Sequence, residues 1–240
     1  MAGLGCAGAR PTLEADTALP AATVTARPSP VVNTPVALNP ALEAAFVRWE
    51  QEGPSGDEAH RERLKKLADA VDKQLRERGK VDLVFVCTHN SRRSHMTQLL
   101  ALAAAQRLGV AGVRTFSGGT EATAFNPRAI AALSRLGFEL SSGEGKNPKM
   151  AVRFSPVAEP VEAFSKKYTD PPNPEKDFVV VMTCSQADGS CPFVVGALSR
   201  VAIPYEDPKV ADGTPEEAAR YDERANQIGR DMAWVFRQGR

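Results

Sequence analysis

The chain has 240 residues, 42% hydrophobic and 25% charged, enough for one ordinary domain plus an appendage, with ample apolar material for a core. Its net charge of +1 gives no reason to expect nucleic acid or an anionic membrane surface as a partner. No apolar run approaches transmembrane length.

Cys6, Cys87, Cys184 and Cys191 are too few for a disulfide-stapled secreted scaffold. The cytoplasm is therefore the expected location. Cys6 lies in GLGCAG, which has the look of a lipoprotein cleavage site but lacks a basic start and an apolar segment before it. An exported or lipidated form would need a start upstream of Met1.

Residues 1–40 are rich in Ala, Pro and Thr without sustained periodicity and read as a disordered or loosely attached arm. Residues 41–52 predict an amphipathic helix with Leu42, Phe46 and Trp49 on one face. A second helix is expected over 57–78, with Leu64, Leu67, Val71 and Leu75 at spacings of three and four. Its basic stretch from His60 to Lys66 reads as a solvated face. Together, residues 41–80 form a helical extension to a catalytic domain at 81–240.

That domain opens on VDLVFVCTHNSRRS, residues 81–94. The run 81–86 is mainly apolar, β-branched and aromatic, the pattern of a buried strand. A short polar loop follows, Cys87, Thr88, His89, Asn90, Ser91, Arg92, Arg93 and Ser94, and a helical pattern then runs to Leu108. Loop amides and the positive end of the helix can converge on an anion. Arg93 can grip two oxygens of a tetrahedral oxyanion through its planar fork. The same field favours thiolate over thiol, so Cys87 is positioned as a nucleophile against a phosphate-like anion. The competing reading is a buried structural cysteine beside surface arginines; the combined strand, loop, Arg93 and helix favour the functional one.

Further along, a strand is expected at 113–116 and a turn at SGGTEA. A helix opens on Asn126 and Pro127 and ends at Gly137. Residues 138–177 are broken by prolines, glycines and serines and read as a long insertion. A short strand near 151–154 and a turn of helix around 161–168 are its only expected structure. Strands are predicted at 178–182 and 200–203, and a capping box from Thr214 to Glu217 launches a last helix to about Gln238. Strands alternating with helices predict an α/β fold, a doubly wound parallel four-stranded sheet with ligands at the carboxyl ends of its strands.

Directly after the strand at 178–182 comes CSQADGSCP, with Cys184 and Cys191 seven positions apart. No further Cys or His lies nearby, and the paired C-x2-C spacing of a zinc site is missing, so no metal site is read. The spacer of Gly, Ser and Asp is polar and deformable, as a pair alternating between thiols and a disulfide requires.

Cys87–Ser94, CSQADGSCP and the later Asp207-Pro208 together resemble the thioredoxin-coupled arsenate reductases, which share the fold of the low-molecular-weight protein tyrosine phosphatases. The resemblance covers residue 81 to the C terminus. It implies Cys87 as nucleophile, Cys184 and then Cys191 as resolving thiols, Arg93 and Ser94 as anion and thiolate supports, Asn90 as keeper of the loop's shape, and Asp207 as general acid. It further implies an arsenate or phosphate-like oxyanion as substrate and thioredoxin as the source of reducing equivalents, with no bound cofactor. His89 stands where the family commonly has Gly, and Arg92 where a small residue or Cys is usual; Arg92 would add charge for the anion. His95 reads as structural.

A tyrosine phosphatase working through a phosphocysteine is the alternative. It usually places aromatic residues beside the Asp-Pro, whereas here Lys209 and Val210 follow, with Tyr205 two residues upstream. A non-catalytic oxyanion sensor would keep Arg93 but have no use for three ordered thiols.

Overall fold

The computed structural model describes residues 34–190 and 193–238, except the side chains of Ser142 and Ser190. The arm expected over residues 1–40 lies outside the described residues as far as residue 33. Residues 34–39 are irregular but fastened to the domain: Val36 N donates to Gln106 O at 3.0 Å and Asn39 N to Phe154 O at 2.9 Å.

Four strands make the parallel sheet: β1 (Val81–Cys87), β2 (Val113–Gly119), β6 (Phe178–Met182) and β7 (Ala197–Ala202), in the order β2-β1-β6-β7. All seven residues of β1 are buried. Their alternation splits the core: Leu83 and Phe85 join the large cluster under the long helices, while Val84 and Val86 join a smaller one with Val180, Met182, Cys87 and Cys184. From β1 the chain crosses through α3 (Arg93–Arg107) to β2; from β6 it crosses through α5 (Ser185–Ser190) to β7 on the other side of the order. Such crossovers are right-handed, so opposite directions of travel put α3 and α5 on opposite faces. The domain is thus doubly wound, and the order reverses between β1 and β6. A crevice opens at the carboxyl ends of those two strands, the favoured ligand position in this architecture.

The helical extension is part of the same core. In α1 (Pro40–Glu52), Leu42, Phe46 and Trp49 are buried; in α2 (Glu58–Arg78), so are Leu64, Leu67, Val71 and Leu75. Each such side chain contributes on the order of 1.5–3 kcal/mol when withdrawn from water. The rim of the Trp49 indole presses on α6 (Glu217–Gln238) at Gly229, where a Cβ would come within 2.3 Å of it. Only glycine admits that contact. Arg107 of α3 bridges back to Glu43 and Glu50 of α1, both at 2.8 Å.

Residues 138–177 differ from expectation. They hold an antiparallel sheet of β3 (Glu139–Ser142), β4 (Met150–Arg153) and β5 (Val161–Ala163), so a strand replaces the helical turn expected around 161–168. Val161 and Ala163 flank an exposed Glu162, an alternation too short to stand out from sequence but sufficient once β4 supplies a partner. Beyond β5 the chain passes along the end of β2, with Gly119 N donating to Lys166 O and Tyr168 N to Gly119 O, both at 2.9 Å. The final helix begins at Glu217 rather than at Thr214, and the Glu217 carboxylate accepts from Gly213 N at 2.6 Å.

Candidate active site

The loop after β1 has its carbonyls turned outward. Cys87 O accepts from Thr120 N, Thr88 O from Glu121 N and from the Thr120 hydroxyl, and Ser91 O from Asn126 N. His89 O accepts from the hydroxyls of Thr123 and Ser165, each at 3.1 Å. No amide N–H of residues 88–92 donates to another described residue. A loop whose carbonyls are spent outside and whose amides are unspent inside is a nest for an anion, and α3 starts at its end.

Asn90 keeps this shape. It stands at φ 43°, a left-handed conformation that asparagine tolerates better than most residues. Its Oδ1 accepts from Lys166 N and its Nδ2 donates to Ser94 Oγ, both at 2.9 Å. Close packing shuts the back of the loop: a Cβ on Gly119 would sit 2.6 Å from Asn90 N. Because Asn90 occupies an acceptor site of Ser94 Oγ, the Ser94 hydroxyl proton is free to point at Cys87 Sγ, 3.1 Å away. Cys87 is 4% exposed and free.

Arg93 reaches over to the segment after β7. Nη1 donates to Tyr205 O at 2.9 Å and Nη2 to Asp207 Oδ2 at 2.7 Å; Nε is buried without a partner among the described residues. Asp207 in turn caps the 3-10 turn Pro208–Ala211, accepting from Lys209 N at 3.1 Å. Arg92 does not add its charge to the nest. Its Nε donates to Tyr221 Oη at 3.0 Å, the Tyr221 hydroxyl donates to Asp212 at 2.8 Å, and Arg92 Nη2 lies 3.8 Å from Asp212. Burial and the Asp212 carboxylate push the Tyr221 phenol up to about 12, so it stays a donor. Two successive arginines therefore hold the two ends of residues 205–212.

Cys184 enters from the neighbouring strand. Thr183 N donates to Val86 O at 2.7 Å, which sets Cys184 one residue beyond the level of Cys87. Cys184 is free and 1% exposed. Its Sγ lies 3.6 Å from Thr88 Oγ1 and accepts from Ala187 N at 3.3 Å. The Thr88 hydroxyl donates to Gln186 Oε1 at 3.2 Å, so the Cys184 thiol is the donor in the contact with Thr88. The deformable spacer expected here is a short helix, α5, tied to β7 by Arg200, whose Nη2 donates to Asp188 O at 2.7 Å and to its carboxylate at 2.5 Å. Cys191 lies outside the described residues.

His89 is half exposed at the lip of the loop, 3.6 Å from Glu121. His95 is fully buried and stacks on Phe125 at 4.1 Å. Burial first, and then the Lys166 cation, bring its pKa down to about 3. It is a neutral packing element, as its sequence position suggested. Lys166, itself buried beside the loop, is lowered to about 8 by desolvation. His60, read as part of a solvated face, is instead buried against Asp231 at 2.7 Å. Its partner lies 171 residues away, beyond the reach of local spacing. No group of three metal-ligating side chains occurs among the described residues, and no described helix is long and apolar enough to cross a membrane.

Residues 82–153 match the family described as low molecular weight phosphotyrosine protein phosphatase. An arsenate reductase from Bacillus subtilis is 27% identical over 61% of this chain and 88% of its own length. One from Bacillus licheniformis is 26% identical over 63% and 91%. The crystal structure of a low molecular weight protein tyrosine phosphatase from T. tengcongensis aligns at 17% identity over 66% of this chain and 99% of that one, with a TM-score of 0.46.

Proposed function

We propose that the chain, whose residues 82–153 match the low molecular weight phosphotyrosine protein phosphatase family, is an arsenate reductase working through a thiol relay from Cys87 to Cys184 and on to Cys191. The observation that carries this reading is the second cysteine: Cys184 is free, buried, and in contact with the nucleophile's own loop through Thr88. Phosphoryl transfer through a phosphocysteine has no use for it. The two Bacillus relatives supply the substrate class.

An arsenate in the nest meets the loop amides and competes with Asp207 for Arg93. That competition frees the Asp207 carboxylate, which takes up the proton given up as Cys87 becomes a thiolate and can then serve as acid. The Cys87 thiolate attacks arsenic, an As–O bond breaks, and Asp207 protonates the departing oxygen, which leaves as water. The Cys184 thiolate then attacks Cys87 Sγ. The S–As bond breaks with its electron pair going to arsenic, so arsenate has gained two electrons and leaves as arsenite, and a Cys87–Cys184 disulfide remains. Cys191 next attacks Cys184 Sγ, returns Cys87 to its thiol and carries the disulfide outward. A dithiol protein of the thioredoxin kind reduces it. The relay calls for no resident cofactor.

A phosphatase reading is favoured by one observation: Cys87, Arg93 and Asp207 form a complete set without Cys184. Cysteine variants separate the two. Cys184→Ser should abolish multiple-turnover arsenate reduction while leaving Cys87 reactive, and Cys191→Ser should trap a Cys87–Cys184 disulfide visible by peptide mapping. Phosphatase activity would survive both changes. If both variants reduce arsenate with thioredoxin at the wild-type rate, the relay is wrong.

A further inference from the structure

A buried polar hub joins the helical extension to the catalytic arginine. Asp231 of α6 has no exposed surface. Its carboxylate accepts from Ser55 N at 2.9 Å, Ser55 Oγ at 3.1 Å, His60 Nε2 at 2.7 Å and the Tyr205 hydroxyl at 3.1 Å. Ser55 and His60 come from the turn between α1 and α2 and the first turn of α2. Asp57 caps that helix through His60 N at 2.8 Å, which holds the imidazole over the hub. The His60 and Tyr205 rings meet edge to face at 5.8 Å. Burial, then Asp231, hold the Tyr205 phenol well above its ordinary range, so it remains a donor.

Tyr205 has a second role at its other end. Its carbonyl accepts from Arg93 Nη1 at 2.9 Å, and its amide donates to Thr183 O at 3.1 Å, beside Cys184. The ring is therefore anchored in the hub while the backbone of the same residue fixes one arm of the arginine fork. Removing any donor from a buried carboxylate leaves that charge less compensated, so the hub resists change.

We propose that Tyr205 is a positioning residue for Arg93, and that Ser55 and His60 of the helical extension, acting through Asp231, set the affinity of the oxyanion loop. The inference rests on Arg93 being the oxyanion ligand of the proposed function. It gives the extension a part in the chemistry that no motif in residues 41–80 announces.

The test measures how much inorganic phosphate half-protects Cys87 from iodoacetamide, alongside thermal melting of each variant. Tyr205→Phe removes only the hydroxyl and should raise the half-protecting concentration roughly 3–30-fold, the usual range for a residue coupled to a site through its neighbours. His60→Leu should do the same, and His60→Gln, which keeps a donor toward Asp231, should restore most of the loss. Combining Tyr205→Phe with His60→Leu should cost little more than the larger single change, since both act through one carboxylate. Lower melting temperatures with an unchanged protecting concentration would show a purely structural hub and overturn the proposal, as would additive effects. A wild-type chain that phosphate fails to protect would overturn the oxyanion reading itself, and the positioning role with it.

Discussion

Loop 87–94 and the segment after β6 face the same crevice, yet they are held in different ways. Around Cys87 the amides are left for an anion while the groups that shape the loop are committed: carbonyls outward, Asn90 to Lys166 N and Ser94, Arg93 to Tyr205 and Asp207, Arg92 to Tyr221. Around Cys184 the described ties run to and through a short helix: a thiol contact with Thr88, an amide from Ala187, the Asp188 amide on the Cys184 carbonyl, and Arg200 on Asp188. The difference suits the tasks that the proposed relay assigns to them. Binding a tetrahedral anion needs donors fixed in advance. Handing on a disulfide needs a sulfur that can leave its place, and helices as short as α5 have little stability of their own.

The comparison can be broken most sharply at Arg93. Arg93→Lys keeps the charge and loses the fork, and oxyanion-dependent turnover should fall roughly 10²–10³-fold. A loss under tenfold in steady-state kinetics would mean that charge alone suffices. Asn90→Ala removes both ties of the loop's keeper and should lower stability in urea by about 1–3 kcal/mol; an unchanged midpoint would show that the outward carbonyl bonds hold the loop unaided.

On the other side of the crevice, Arg200→Ala should raise amide exchange across residues 185–190 by roughly tenfold while leaving iodoacetamide labelling of Cys87 as it was. Equal effects on both segments would erase the contrast. The smallest effect at neutral pH belongs to His95. Its folded pKa of about 3 lies below the ordinary value of 6.5, so on acidification the unfolded chain takes up a proton that the native state refuses. Stability should therefore fall as pH drops from about 6.5 toward 3, and His95→Phe should flatten that limb of a pH–urea series.

What the sequence disclosed tracks locality. The strand Phe178–Met182, the two extension helices and the nucleophile loop all carry periods or spacings readable within about 20 residues, and each appears where expected. Thr88 and Asn90 were legible as loop members, but not the Thr88 contact with Cys184 or the Asn90 bond to Lys166, which join residues 96 and 76 positions apart. Arg92 misled for a related reason. A charge beside an anion loop suggests more anion binding, and only the tertiary approach of Tyr221 and Asp212 diverts it. Of the second sheet only β4 was legible, as the short strand expected near 151–154; β3 and β5 escaped notice because three or four residues are too few to establish alternation against a background of proline and glycine.

The adjacent arginines have a consequence for timing. Arg93 fastens residues 205–207 and Arg92 fastens Asp212, so the stretch carrying the acid is latched at one end and hinged at the other. In the proposed reaction, an arriving oxyanion would bid for the Arg93 latch and leave the Arg92 hinge untouched. The carboxyl is then released close to the oxygen it must protonate, and while the nest is empty it stays folded against the guanidinium. On that reading the substrate is its own key, and proton delivery waits on occupancy.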